Sequence, residues 1–304
     1  MILKVLGRFA MHKASDWRDK PYSSKHHTIM TNEQLNIPGI RTFANRQLRD
    51  ALLPLLPHYH KNAFEFTFIV KGSMRFSTNN KEYDVPGGSV FMSYPNEIHS
   101  TNNNPRPVHE QYWIQFDIED PDHFLFLKRE KAEELIEKLK KIPKHLISTE
   151  PKMVGSIIEK AFEVARQNNN PLLVASYLLV FLQLVIEASK ENRYYRAPDI
   201  EQSIAYISQH LHDEILLDDL ASLCGLSTSQ FKQKFRQIVG ISPRNYINNK
   251  KIEYSKKLLS QNIPITEVAM ALNFSTSSYF STVFKKHTTQ SPREFQNRRD
   301  INGV

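Results

Sequence analysis

Residues 217–246 read LDDLASLCGLSTSQFKQKFRQIVGISPRNY, and residues 265–295 read ITEVAMALNFSTSSYFSTVFKKHTTQSPREF. The second stretch repeats the pattern of the first, offset by 48 residues before its central turn (Ala221 to Ala269) and by one residue more after it. A match that stays in phase over this length indicates one structural unit that is present twice.

Each copy has the spacing of a short amphipathic helix, a tight turn and a second amphipathic helix. Ser227 is a good N-cap for the second helix of the first copy, and Gly225 supplies the backbone angles of the turn. Asn273 stands at the turn of the second copy, and asparagine tolerates the left-handed conformation. The sequence therefore predicts two helix-turn-helix units.

The charge of this region suits a polyanionic partner. Between Gln230 and Arg299 there are thirteen Lys or Arg residues against three acidic ones. Such an excess is typical of phosphate binding, and a short N-capped helix with one free face suits the major groove of DNA. A helical bundle with a solvated basic face is the alternative, and the duplication argues against it.

The outward residues near the start of each second helix are the expected readers of base edges. Lys donates to guanine and Gln pairs with adenine, whereas hydroxyls discriminate less, so the first unit should carry more base specificity. Phosphate contacts fix the register on DNA but not the sequence. The expected base contacts are Ser229, Lys232, Gln233, Ser277, Ser278, Ser281 and Thr282, and the expected phosphate contacts are Ser227, Lys234, Arg236, Ser275, Lys285 and Lys286.

From Asp199 to Arg299 the chain resembles the DNA-binding domain of the AraC/XylS family of bacterial transcription regulators. The most specific matches are Ile265–Ala269, Ser278–Phe280 and Ser291-Pro292. The resemblance implies an all-helical domain that binds promoter DNA. Five departures from the family's usual residues affect the implied base contacts rather than the fold: Asn273 and Thr289 replace Gly, Lys251 and Thr282 replace Arg, and Ser255 replaces Ala.

The composition of the whole chain agrees with such a function. Its 304 residues suffice for two domains with separate cores, and a formal net charge of +8 suits an acidic partner. Cys224 is the single cysteine, so an intrachain disulfide is excluded and a reducing cytoplasm is expected. The most apolar run, 172–188, is short for a membrane span and contains polar residues, so we expect a buried or interface helix and no membrane partner.

Residues 39–117 contain short β-rich runs separated by turns, which predicts a small sandwich or barrel, and helical patterns begin near Pro121. The expected fold is α+β, with a cupin-like β barrel and flanking helices before an all-α domain of two helix-turn-helix units. The expected divisions are an N-terminal arm (1–36), an effector-binding barrel (37–120), a helical dimerisation region (121–190), a linker (191–198) and the DNA-binding domain (199–304).

One group of polar residues in the β-rich part indicates a ligand site. His58 and His60 would share one strand face, and a hairpin and a neighbouring strand would bring Glu65 and His99 alongside. This pattern resembles the paired motifs of cupin barrels, although Leu52 and Glu97 replace two of the glycines usual there. The resemblance implies a pocket inside the barrel, and the expected effector-binding residues are His58, His60, Glu65, Tyr94, His99 and Trp113.

No metal or other cofactor is favoured for this pocket. Three imidazoles and a carboxylate suit a transition metal, so His58, His60, Glu65 and His99 are the candidate ligands if an ion is bound. Barrels attached to AraC-type domains, however, mostly bind a small effector, and a polar pocket binds hydroxyl groups without an ion. The expected ligand is a sugar or a related metabolite.

The sequence thus predicts a ligand-responsive transcription regulator and not an enzyme. The expected partners are promoter DNA, the effector and a second copy of the chain, which would pair through the apolar helices; RNA polymerase is a further candidate. Two alternatives stay open. One is a metal-dependent cupin enzyme, an isomerase or dioxygenase with an accessory helical domain, and the other is a constitutive DNA-bending protein.

Overall fold

The computed structural model describes residues 14–167, 170–190 and 198–302, with side chains described as far as Asn297. The expected linker lies outside these residues except for Pro198, as does the first part of the expected arm. The described chain forms a β-rich N-terminal half with a layer of helices against it, followed by a purely helical C-terminal part. This confirms the predicted α+β class.

The strands of the described residues form two sheets. In chain order they are β1 (Ser15–Asp16), β2 (Tyr22–Ser24), β3 (His27–Thr31), β4 (Ile40–Gln47), β5 (His58–Tyr59), β6 (Ala63–Lys71), β7 (Ser73–Thr78), β8 (Lys81–Pro86), β9 (Ser89–Ser93), β10 (His99–Ser100), β11 (Glu110–Asp117) and β12 (Leu146–Ser148). One sheet has the order β1-β5-β10-β7-β8 and the other β12-β9-β6-β11-β4-β3-β2.

The long strand β6 separates two environments. Because successive side chains point to opposite faces, Phe66 and Phe68 pack into the core shared with the helices. The rings of Phe66 and Phe181 meet edge-on with their centroids 6.1 Å apart. Glu65 and Thr67 instead line the space between the sheets. Both faces of β6 are therefore covered, which explains why it is buried from Ala63 to Ile69.

The barrel begins earlier than the expected boundary at residue 37. Strand β3 pairs with β4 from His27 to Thr31, and β2 adds the edge of the same sheet, so this part of the expected arm belongs to the barrel. Residues 22–24 carry no alternating apolar pattern, because β2 is exposed along its whole length. Strand β12 likewise lies within the region expected to be helical and pairs with β9.

Helices cover the larger sheet and then form the C-terminal domain. Helix α4 is long and apolar enough to cross a membrane by length and composition, with a hydropathy of 2.0; it packs on α3 and on the sheet. In chain order the helices are α1 (Asn32–Leu35), α2 (Arg129–Lys140), α3 (Pro151–Gln167), α4 (Pro171–Lys190), α5 (Pro198–Gln209), α6 (Leu217–Leu223), α7 (Thr228–Val239), α8 (Pro243–Leu259), α9 (Ile265–Ala271), α10 (Ser277–Thr288) and α11 (Pro292–Asn302).

The predicted duplication is confirmed. Helices α6 and α7 enclose one apolar core and α9 and α10 a second, and α8 contributes Ile247 to the first core and Ile252 and Leu259 to the second. The turns have left-handed backbone at Gly225 (φ 65°) and Asn273 (φ 52°). Asparagine thus adopts the conformation for which the first unit uses glycine.

Candidate functional site

The expected base-reading residues lie on the open face of the two second helices. On α7, Ser229, Lys232 and Gln233 are exposed. On α10, Ser278 and Thr282 are exposed, whereas Ser277 and Ser281 are half-buried. The barrel therefore does not cover the outward face of either helix at its N-terminal half.

The hydroxyls of α10 are partly committed to their own helix. Ser281 Oγ donates to the carbonyl of Ser277 at 2.9 Å, and Thr282 Oγ1 donates to that of Ser278 at 3.0 Å. A hydroxyl that donates to the preceding turn can still accept, but its proton is not free for a base. The ammonium of Lys232 has no such constraint in the described structure.

The expected phosphate contacts fall into two groups. Arg236, Ser275, Lys285 and Lys286 are exposed. Ser227 forms a reciprocal capping box with Gln230, so its hydroxyl serves first to cap the N-terminus of α7. Lys234 Nζ lies 2.6 Å from Asp199 Oδ2, so this lysine ties α7 to α5 before it meets any phosphate.

A cavity of about 410 Å³ lies between the two sheets of the barrel. His58 and Glu65 line it, together with Trp113, and two buried imidazoles, His60 and His99, stand directly behind them. The ligand atoms of the three histidines all lie within 4.8 Å of one another. The structure thus brings together five of the six residues expected at the effector site.

Each imidazole is oriented by a backbone carbonyl. His58 Nδ1 donates to Leu56 at 2.8 Å, His60 Nδ1 to Trp17 at 3.1 Å, and His99 Nδ1 to Glu97 at 3.1 Å. A histidine that donates through Nδ1 presents Nε2 to the other side. All three Nε2 atoms therefore face the cluster.

Burial sets the charges of the cluster. It lowers the pKa of His58 to about 4, and the nearby His99 adds to this effect. Burial alone would lower the pKa of His60 and raise that of Glu65, but their ion pair at 3.0 Å outweighs it, so the pKa of His60 is raised and that of Glu65 is well below its usual value. The ion pair thus favours the charged forms of His60 and Glu65, whereas His58 is neutral at neutral pH.

The donor set fits a divalent transition metal. His99 Nε2 is buried without a hydrogen-bond partner and lies 3.5 Å from Glu65 Oε1, too far for a normal hydrogen bond. An orphaned imidazole nitrogen beside two more and a carboxylate is the arrangement in which carbonyl-oriented histidines hold Zn²⁺ or a similar ion. His58, His60, His99 and Glu65 would be its ligands.

Residues near the N-terminus complete the wall of the cavity. Asp19 accepts hydrogen bonds from Trp113 Nε1 at 3.1 Å and from Gln115 Nε2 at 3.0 Å, and Gln115 Nε2 is also 3.0 Å from Glu65 Oε2. Sequence reasoning missed Asp19 and Gln115, as well as Arg46 and Arg106, which also line the cavity. The alternation of β4 and β11 could have placed Arg46 and Trp113 on the inner face.

Tyr94 lies apart from the cavity. Its hydroxyl donates to the carbonyl of Ile142, and its ring packs edge-on against His145 at 5.0 Å. The side chain therefore joins the barrel to the segment after α2 and does not reach the histidine cluster. The sequence could not show whether Tyr94 lies in the cavity or outside it. Tyr94 follows β9 directly, and the periodicity of a strand does not predict where the chain turns after the strand ends.

Two contacts join the barrel to the helix-turn-helix units themselves. The backbones of Gly87 and Gly240 touch, since a Cβ built on Gly87 would lie 2.5 Å from Gly240 Cα. Gly240 is the C-cap of α7. The second contact is a hydrogen bond of 3.0 Å from the amide of Ala51 to the carbonyl of Lys286 in α10. Each helix-turn-helix unit is therefore attached to the barrel through the rear end of its outward helix.

Known proteins match both parts of the chain. Residues 220–298 match a helix-turn-helix domain family and residues 56–182 match the AraC-like ligand-binding domain. The HTH-type transcriptional activator RhaS of Escherichia coli O1:K1 is 24% identical over 251 residues, which are 80% of this chain and 88% of RhaS. RhaS of Shigella dysenteriae serotype 1 is 23% identical over 285 residues, 87% and 98% of the two chains. The solved structure of ToxT from Vibrio cholerae O395 is 17% identical and covers 85% of this chain and 97% of its own, with a TM-score of 0.32.

A helix-turn-helix domain joined to a ligand-binding barrel defines a DNA-binding transcription regulator that responds to a small molecule. The chain combines an AraC-like ligand-binding domain with a helix-turn-helix domain, and its similarity to the transcriptional activator RhaS extends over both. This confirms the resemblance and the class of function that the sequence predicted.

Proposed function

We propose that this regulator binds its effector in the histidine-lined cavity and that occupancy of the cavity changes how the two helix-turn-helix units engage promoter DNA. The observation that carries the proposal is the position of residues 51–57. Leu52 and four of the five residues after it line the cavity, and the preceding amide, that of Ala51, bonds to α10. A ligand that moves this segment acts directly on a DNA-reading helix.

The effector in this proposal is a sugar or a related metabolite, as the sequence predicts. Hydrogen-bonding groups and an aromatic wall at Trp113 suit a polyhydroxylated molecule. The regulator acts on chromosomal promoters in the cytoplasm. RhaS is described as an activator; by analogy this chain activates transcription, which requires a contact with RNA polymerase.

A DNA-binding assay tests the first part of the proposal. The full chain and the fragment beginning at Pro198 should both bind duplex DNA, and their affinity should fall steeply as salt rises, because phosphate contacts release counterions. Binding that does not depend on salt, or a fragment that does not bind duplex DNA, would contradict the proposal that the outward faces of α7 and α10 bind DNA.

The coupling between the domains is tested at the glycine contact. Gly87→Ala adds a methyl group 2.5 Å from Gly240 Cα, so the domains must separate there, while each domain keeps its own core. We expect the variant to bind DNA and to lose most of its response to effector. Gly155→Ala is the matched control, because its new Cβ meets Phe68 at an ordinary 3.6 Å. An unchanged response in the Gly87 variant would show that this contact carries no coupling.

Helix α4 supports a homodimer in this proposal. Leu173, Val180 and Glu187 are exposed and spaced by seven residues, with half-buried Tyr177 and Leu184 between them. This spacing is that of a seam between two paired helices and supports pairing of two copies through α4. Val180→Glu should shift the protein to monomers in sedimentation analysis, and Gln183→Glu on the neighbouring position is the control.

The converging imidazoles favour one second candidate, a metal-dependent cupin enzyme. Stoichiometric metal in the purified protein, together with a reaction that His60→Ala abolishes, would support that reading. A regulator would instead keep salt-sensitive DNA binding in the same variant, since His60 lies far along the chain from both helix-turn-helix units and inside a separate core.

A further inference from the structure

The histidine-lined cavity holds two arginines that the cluster of histidines does not explain. Arg46, from β4, and Arg106, from the loop before β11, both line the cavity wall and are half-buried. Arg46 lies over the ring of Trp113 at 5.4 Å and is 2.9 Å from His27 Nε2. Arg106 Nε donates to the carbonyl of Leu53 at 2.9 Å.

Within the described residues neither arginine forms an ion pair with a carboxylate. Other arginines of the barrel are paired: Arg41 contacts Asp117 at 2.7 Å and Arg75 contacts Asp84 at 2.7 Å. An unpaired guanidinium that is partly removed from water is costly, and proteins usually supply a partner. The cavity is where such a partner is missing.

The charges around the cavity do not balance. The wall carries two cations, Arg46 and Arg106, and two carboxylates, Asp19 and Glu65. Glu65 lies 3.0 Å from His60 Nε2 behind it and, in the part of the chain that the structure describes, forms no ion pair with either arginine. Asp19, which acts on Arg46, is then the one carboxylate left for two guanidinium groups, and a metal ion at the histidines would add further positive charge.

The neighbouring groups respond to this excess of positive charge. Burial and the charge of Arg46 lower the pKa of Arg106 to about 10, so it stays charged at neutral pH. Burial and both arginines lower the pKa of His27 to about 4, which keeps this imidazole neutral beside them. No acidic group near Arg106 offsets these effects among the described residues.

We propose that the effector is an anion, a small molecule whose carboxylate or phosphate group binds to Arg106 and Arg46 at the wall of the barrel cavity. The inference rests on the proposed function and specifies the chemical class of its ligand. A planar guanidinium matches both oxyanions with paired hydrogen bonds. A sugar acid or a sugar phosphate would leave its hydroxyl groups for the histidine side and its anionic group for the arginines.

Arg106 also connects the anion site to the DNA-binding domain. Its backbone exchanges two hydrogen bonds of 2.9 Å with Leu52, the residue after Ala51, whose amide bonds to Lys286 in α10. An anion that binds Arg106 and shifts it therefore also shifts Ala51 and Leu52, which are hydrogen-bonded to α10 and to Arg106.

Tryptophan fluorescence of the full chain tests the proposal, because the two tryptophans of this sequence, Trp17 and Trp113, both line the cavity. Anions that bind the basic DNA face leave this signal unchanged. The probes are D-galactose, D-galacturonate, D-galactose 1-phosphate and inorganic phosphate, each titrated against sodium chloride at equal ionic strength. We expect a saturable change with one or more of the anions and none with galactose at the same concentration.

Substitutions of Arg106 test whether the arginines cause the anion-dependent change in fluorescence. Arg106→Gln should weaken binding of the responding anion by about tenfold or more, since a charge-assisted hydrogen bond is lost, and Arg106→Lys should weaken it less. Arg129→Gln is the control: it changes the net charge equally on the exposed surface of α2. A circular dichroism melt of each variant confirms that it is folded.

The possible results separate this inference from the proposed function. Response to galacturonate alone identifies a carboxylate ligand, and response to the phosphates identifies a phosphate ligand. A saturable response to galactose that equals or exceeds that to the anions would overturn the inference and leave an effector-binding regulator in place. Absence of any saturable response to the three anions, or unchanged anion binding in Arg106→Gln, would also overturn it.

Discussion

The two helix-turn-helix units have the same backbone plan but present different groups to their surroundings. The first unit offers an ammonium and an amide on α7, at Lys232 and Gln233, whereas the second offers hydroxyls on α10, two of which bond to their own helix. Their contacts with the barrel differ as well: Gly240 at the end of α7 packs on Gly87, whereas Lys286 of α10 accepts a hydrogen bond from the amide of Ala51. We therefore expect the first unit to read bases, and we propose that the second unit positions the protein on DNA and responds to the cavity.

The largest effect should come from the two cores. Phe231→Ala and Phe280→Ala each empty a fully buried site, so each should lower the free energy of unfolding of the DNA-binding domain by about 3–5 kcal/mol. Circular dichroism should detect the loss, while the tryptophan melt, which reports on the barrel alone, stays in place. If one of the two substitutions left the free energy of unfolding unchanged, the two phenylalanines would not contribute equally to their cores.

The next effect concerns base recognition. Lys232→Ala and Gln233→Ala should each cost about 1–3 kcal/mol of binding to the preferred DNA and should relax specificity, because each removes a base-directed group. Ser278→Ala and Thr282→Ala should cost less than either. Fluorescence anisotropy with preferred and scrambled duplexes measures the affinity for the preferred DNA and the specificity for it. A larger loss for the α10 variants would reverse the assignment of the two units.

The smallest effect separates phosphate contacts from internal ones. Lys285→Ala should weaken binding to all sequences alike and reduce the slope of log affinity against log salt by about 0.9, because one phosphate contact is lost. Lys234→Ala should leave that slope almost unchanged, since Lys234 pairs with Asp199 at 2.6 Å; as a partly exposed ion pair it contributes about 0–1 kcal/mol to stability. Equal changes in slope for both lysines would contradict this distinction.

Much of this architecture could be predicted from the residues. Local signals fixed the helix-turn-helix units, since the apolar spacing, the cap at Ser227 and the turns at Gly225 and Asn273 each determine local backbone. The histidine cluster was also within reach, but it forms by another route than a hairpin. His99 on β10 pairs with His58 on β5, whereas Glu65 approaches them from β6 in the opposite sheet. These residues converge as expected.

What the sequence could not provide depends on contacts between distant segments. Asp19 reaches Gln115, Arg106 pairs with Leu52, and Gly87 meets Gly240, and no periodicity links the members of these pairs. Exposed edge strands such as β2 carry no alternating pattern either, so the start of the barrel was set too late. The groups that define the charge of the cavity and its connection to the DNA-binding domain are all of this kind.

Selection of bound duplexes from a random DNA pool by the full chain, followed by sequencing, tests the central claim most directly. The account predicts a two-part motif with centres about 10–10.5 base pairs apart, as for two helices in successive major grooves. One half should be sharply defined and lost in Lys232→Ala, and the other should be degenerate. No enrichment, a single undivided motif, or a sharp half that survives loss of Lys232 and Gln233 would contradict it.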